Sequence, residues 1–138
     1  MPQKPIDPKY SIGIPEMDTQ HARWIELIEQ FRAAAADHML DEQGLGAAEQ
    51  ALEQLLAYTR QHFASEEKFI AERGYPDVEA HSRRHRELEA EVTRLLDEIH
   101  AHKTRTTPLK LNLLITIWLM EHIMSEDIHY ARFLRAKA

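Results

Sequence analysis

The sequence predicts an all-α protein, an up-down-up-down antiparallel four-helix bundle with an extended N-terminal arm. Three observations lead there. Only four glycines and six prolines interrupt 138 residues, and they sit at a few points. The long segments between them are rich in Ala, Leu, Glu, Gln and Arg, which favour helix. Within each segment apolar residues recur at about 100° per residue, so each helix would bury one face.

The arm runs through Met17, where Pro2, Pro5, Pro8, Gly13 and Pro15 disfavour helix. Asp18 or Thr19 can cap a first helix reaching about Leu40, with Met17, His21, Ile25, Ile28 and Ala35 on one stripe and Trp24 and Phe31 at its edge. Gly44 and Gly46 break the chain before a second helix, from about Ala47 to Arg73, whose stripe is Ala51, Leu55, Tyr58, Thr59, His62, Glu66 and Phe69. GYPD, Gly74 to Asp77, ends it with a C-terminal glycine and a following proline. The third helix, Val78 to His102, aligns Val78, His81, His85, Leu88, Val92, Leu95 and Ile99. TRTTP, Thr104 to Pro108, precedes a fourth from about Leu109 to Arg135, which aligns Leu111, Ile115, Trp118, Leu119 and His122. Short connections make consecutive helices antiparallel neighbours. The length suits one core, so residues 1–138 read as a single domain, with the arm over 1–17 and the bundle over 18–135.

Composition removes several function classes. A formal charge of −6 and the lack of a Lys/Arg cluster argue against nucleic acid or an anionic membrane surface. With no cysteine there are no disulfides, thiolate metal sites or iron–sulfur clusters, so any metal must be held by nitrogen and oxygen. The apolar run Leu113 to Met120 is too short to span a bilayer, which takes about 20 residues. Prolines and charges stand where a signal peptide would be apolar, so the expected compartment is the cytoplasm.

Nine histidines are the compositional oddity. His21 and the pair His81 and His85 lie near helix starts, whereas His62, Glu66 and His122 lie toward helix ends. In an antiparallel bundle those positions meet at one level. A single histidine on an apolar stripe is ordinarily a core residue with a backbone or water partner. Five at one level are different, because each unsatisfied buried polar group costs about 1–3 kcal/mol, and metal coordination satisfies all of them together. His38, His100, His102 and His129 lie away from that level and read as solvated or structural.

Five imidazoles plus carboxylates exceed the capacity of one octahedral ion, so two ions are expected. With two bridging carboxylates and a shared solvent oxygen, two six-coordinate ions retain one open position for a small ligand. Imidazole with carboxylate suits iron, although manganese, cobalt and zinc are admitted. In helix two, Glu66 stands four residues after His62 and shares its face, while Glu67 should face solvent. In helix four the same spacing selects Glu126, next to Asp127.

The motifs DTQH (Asp18 to His21), HFASEE (His62 to Glu67), GYP, HSRRH (His81 to His85) and WLMEHIMSED (Trp118 to Asp127), with the IGIPEMD arm, resemble the hemerythrin family in its single-domain bacterial form, bacteriohemerythrin. The resemblance covers essentially the whole chain. It implies that His81, His85 and His122 bind one iron, that His21 and His62 bind the other, and that Glu66 and Asp127 bridge them beside an oxo or hydroxo bridge. It thus selects Asp127 where regular spacing selects Glu126. For the short Asp127 side chain to reach the site, helix four must depart from α geometry between His122 and Asp127, for instance by a π-bulge.

The implied function is reversible dioxygen binding for storage, transport or delivery by a monomer, with an oxygen-consuming protein as the acceptor. Ile25, Leu55, Tyr58, Phe63, Trp118, Leu119 and Ile123 are candidates to line a dry ligand pocket. Two other readings compete: a di-iron enzyme acting on oxygen, peroxide or nitrogen oxides, and an oxygen sensor signalling through a separate partner. Ferritin-type di-iron sites use two E-x-x-H motifs; this chain has one, Glu126 to His129. Its histidine-rich set favours the carrier.

Overall fold

The computed structural model describes residues 5–35, 42–102 and 119–137. They form an all-α four-helix bundle. A 3-10 turn at Pro8–Tyr10 precedes α1 (Pro15–Ala35), α2 (Glu42–Glu72) and α3 (Val78–His102). The fourth helix is described from residue 119; it passes through a π-helical segment at His122–Asp127 into α4 (Ile128–Lys137). The expected limits at Leu40 and Leu109, and the side chains of Leu111, Ile115 and Trp118, lie outside the described residues. Consecutive helices pack together, α1 on α2 and α2 on α3, compatible with the expected up-down order. No helix among the described residues is long and apolar enough to cross a membrane.

The arm is less extended than expected, and α1 starts three residues early. Pro15 occupies the first turn, where its missing N–H costs nothing, and Asp18 N–H already donates to Ile14 O at 2.8 Å. Asp18 is therefore inside the helix rather than its cap. Its carboxylate accepts from Ile12 N–H (2.8 Å) and from the Ser11 hydroxyl, tying the arm back onto α1. Ile12 is buried, and its carbonyl accepts from the Arg135 guanidinium at 3.1 Å, so the arm also touches α4.

Gly44 and Gly46 do not break the chain either; both lie within α2. Each costs about 1 kcal/mol relative to alanine, less than the helix gains by burying Ala48, Leu52 and Leu55 downstream. Gly74 does end α2, as expected. At φ +76° it lets Tyr75 N–H reach Ile70 O (3.0 Å) and its own N–H reach Ala71 O (3.1 Å), the paired bonds of a Schellman cap.

The core combines Trp24, Leu27, Ile28 and Phe31 of α1, Leu52, Leu55, Phe63 and Ile70 of α2, Leu88 and Val92 of α3, and Leu119, Ile123 and Tyr130 from the fourth helix. Each fully buried large apolar side chain contributes about 1.5–3 kcal/mol. Toward one end this apolar stack gives way to eight buried polar side chains among the described residues.

Candidate metal centre

Seven of those eight are the residues singled out in the sequence. His21 comes from α1, His62 and Glu66 from α2, His81 and His85 from α3, and His122 and Asp127 from the two ends of the π-helical segment. Six are at most 1% exposed and His81 is 6% exposed. A wider helical turn moves Asp127 onto the face of His122, and the expected break in the ladder is found between them. Glu126, which regular spacing selected, is turned partly outward; it accepts from Arg84 Nε at 2.9 Å and from His122 Nδ1.

Each of the two buried carboxylates presents one oxygen to each of two histidine groups. Glu66 Oε1 lies 2.9 Å from His81 Nε2 and 3.0 Å from His85 Nε2, while Asp127 Oδ1 lies 3.1 Å from His81 Nε2 and 3.0 Å from His122 Nε2. The other oxygens face the remaining pair: Glu66 Oε2 is 3.4 Å from His21 Nε2 and 3.5 Å from His62 Nε2, and Asp127 Oδ2 is 3.0 Å from His21 Nε2. Two pockets of donors result, Glu66–His81–His85–His122–Asp127 and His21–His62–Glu66–Asp127. In each, the donor atoms all lie within 4.8 Å of one another.

The rings are fixed from behind. His62 Nδ1 pairs with Gln20 Oε1 (2.7 Å), His85 Nδ1 with Glu67 Oε2 (3.0 Å) and His122 Nδ1 with Glu126. An acceptor at Nδ1 holds the proton there and turns Nε2 toward the centre. Tyr130 hydroxyl donates to Glu66 Oε2 at 2.9 Å. Phe63 stacks on His85 at 3.7 Å between centroids and meets Trp24 edge-on at 5.4 Å, and Trp24 lies 5.1 Å from His62. Leu55, Leu119 and Ile123 are buried, Ile25 and Tyr58 half-buried.

This donor set fits a metal. His62 Nε2 and both Asp127 oxygens are buried without an aligned hydrogen bond among the described residues, although ring nitrogens stand 3.0–3.1 Å from those oxygens. His85 Nε2 and His122 Nε2 face each other at 2.9 Å, two lone pairs that a proton between them or a cation beside both would satisfy. Charge balance reads the same way. Burial drives His62 down to about 3, leaving it neutral. Burial also opposes charge on His21 and His81, yet Asp127 and Glu66 outweigh it and raise both to about 9. Burial resists ionisation of Glu66 too, but the surrounding histidines hold its carboxyl well below the usual range. Two buried carboxylates thus demand positive charge, which protons or metal ions can supply.

The profile of the family described as "Hemerythrin HHE cation binding domain" matches residues 12–134. The chain belongs to that hemerythrin family. Among its relatives, a bacteriohemerythrin of Stenotrophomonas maltophilia is 29% identical over 126 residues, covering 91% of this chain and 78% of the relative. One from Pseudomonas aeruginosa is 30% identical over 125 residues, 89% of this chain and 76% of the relative. One from Campylobacter jejuni is 26% identical over 121 residues, 88% and 87%. The family's name agrees with a buried His/Glu/Asp cluster that fits a cation.

In this hemerythrin-family chain the outer layer was harder to foresee. Helical spacing turned Glu67 toward solvent, yet its side chain is only 19% exposed because it reaches across to His85 and Arg86 on α3. Helical spacing does not single out Gln20 or Tyr130 either. Tyr130 could have been found once Asp127 was accepted, since it follows Asp127 by three residues on the same face. Of the histidines set aside, His129 is exposed and His100 pairs with Glu49 (2.6 Å) and Glu53 (3.3 Å) far from the centre. His38 lies outside the described residues.

Proposed function

We propose that this chain, acting as one domain, holds two non-haem iron ions and binds dioxygen reversibly. One observation carries the reading: five buried histidines surround only two carboxylates, each of which offers one oxygen to each histidine group. His81, His85 and His122 are assigned to one ion, His21 and His62 to the other, and Glu66 and Asp127 to both. Imidazole and carboxylate together suit iron. Few carboxylates stabilise high-valent iron poorly, which favours a carrier over an oxidising enzyme. The single E-x-x-H motif does not build a ferritin-type site: Glu126 is held by Arg84, and His129 faces solvent.

Iron held there would supply the electron pair that dioxygen takes up on binding and returns on release. The chain's own residues do the rest. Gln20, Glu67 and Glu126 hold the Nδ1 protons of His62, His85 and His122 and so fix ring orientation. Tyr130 steadies Glu66. Phe63, Trp24, Leu55, Leu119 and Ile123 keep water from the centre. The test is iron analysis together with the optical spectrum in air and after oxygen removal. About two irons per chain are expected, with a charge-transfer band that returns through repeated cycles. Stoichiometric zinc, one metal per chain, or irreversible oxidation with product release contradicts the reading.

A further inference from the structure

The two donor pockets differ in what stands behind their ligands. Behind the three-histidine pocket are carboxylates. His85 Nδ1 faces Glu67 Oε2 at 3.0 Å and His122 Nδ1 faces Glu126. Both acceptors are pinned from α3, Glu67 by Arg86 at 2.7 Å and Glu126 by Arg84 at 2.9 Å. Behind His62 stands a neutral amide, Gln20 Oε1 at 2.7 Å. That amide is held in place by Ser65, whose Oγ accepts from Gln20 Nε2 (2.9 Å), and the residue by Tyr58, whose hydroxyl donates to the Gln20 main-chain carbonyl (2.9 Å). His21 Nδ1 has no hydrogen-bond partner among the described residues.

A carboxylate polarises an imidazole N–H more strongly than an amide does, and makes the opposite nitrogen a stronger donor to metal. The three-histidine pocket therefore has one more ring ligand and two strengthened ones. We propose that Glu67 and Glu126 are positioning residues that make the His81–His85–His122 pocket the tighter of the two, so that metal fills it first, while Gln20 keeps the His21–His62 pocket weaker and first to empty. This rests on the two-ion reading above and adds an order of loading to it.

Cobalt(II) titration of the metal-stripped full chain tests it, with visible absorption and equilibrium dialysis as readouts. The native chain should load in two steps separated by about tenfold or more. Glu67→Gln and Glu126→Gln should each weaken the first step by about tenfold and the second by much less. Gln20→Glu should tighten the second step and narrow the gap, a gain that a folding defect cannot imitate. Two equal steps, a first step unmoved in both glutamine variants, or an unchanged gap in Gln20→Glu overturns the inference and leaves the two-ion reading standing. Fewer than two cobalt ions per chain overturns both.

Discussion

His122 and Asp127 stand five residues apart in one helix, yet His122 Nε2 lies 3.0 Å from Asp127 Oδ1. In a regular α-helix an offset of five places side chains about 140° apart. The π-helical segment removes most of that angle and resets the inner stripe downstream, so that Asp127, Tyr130 and Ala131 are fully buried while Glu126 and His129 are not. The same adjustment places one carboxylate in the centre and leaves its neighbour to hold the ring of His122 from outside.

Asp127→Ala should therefore lower bound metal from about two ions per chain to one or fewer, because it removes an oxygen from both pockets. Glu126→Ala should still bind about two when metal is in excess. Equilibrium dialysis against a fixed excess of metal distinguishes them. Equal losses in both variants, or a loss confined to Glu126→Ala, would return the assignment to regular helical spacing.

Among the described residues Tyr130 is the one hydroxyl that touches a central carboxylate, at 2.9 Å from Glu66 Oε2, and burial together with the negative charge of Glu66 raises its pKa. Tyr130→Phe keeps the ring against His81 and Tyr75 and removes only the donor. A hydrogen bond to a charged group is worth about 1.5–3 kcal/mol, so the unfolding free energy should fall by that amount, seen as a lower urea midpoint with an unchanged slope. A variant as stable as the native chain would show that Glu66 is held without this bond.

The inner layer was legible because two periodicities coincided: His62 and Glu66 share a face at four residues' spacing, as do His81 and His85. Helical angle alone could not place Asp127, since the π-helical segment is a departure from the rule used to read it. Nor could it place Glu67, whose Cβ lies off the stripe but whose long side chain bridges to His85. The start of α1 was obscured by competing roles. Asp18 is a good cap by type, but its carboxylate is engaged by Ser11 and Ile12 from the arm, a contact of higher order than any local propensity. The glycines of α2 mislead for a related reason, since neighbouring burial decides whether a weak local preference prevails.

The metal-stripped protein should lose stability as pH rises from about 6.5 to about 9. His21 and His81 bind their protons more tightly folded than unfolded, with values raised from 6.5 to about 9 by Asp127 and Glu66 against the effect of burial. Their contribution is complete below the unfolded value of 6.5 and disappears as pH climbs through the folded one. Metal must displace those protons, so apparent metal affinity should climb over the same window. Melting temperature of the stripped chain and competitive metal titration, both followed against pH, check the two halves. A stripped chain whose melting point rises across this window would mean that these histidines are not the groups that balance the carboxylates.

Phe63 separates packing from ligation. Its ring is fully buried, parallel to His85 at 3.7 Å and edge-on to Trp24, but it offers no donor atom. Phe63→Ala should cost about 3–5 kcal/mol through the cavity it leaves, and Phe63→Leu considerably less. Neither should change the number of metal ions bound. If the apolar wall keeps water and protons from the centre, the rate of irreversible oxidation of the iron-loaded protein in air should rise several-fold in the alanine variant and only slightly in the leucine variant. An alanine variant that is destabilised yet oxidises at the native rate would assign Phe63 to packing alone and move the water barrier elsewhere in the wall, to Trp24, Leu119 or Ile123.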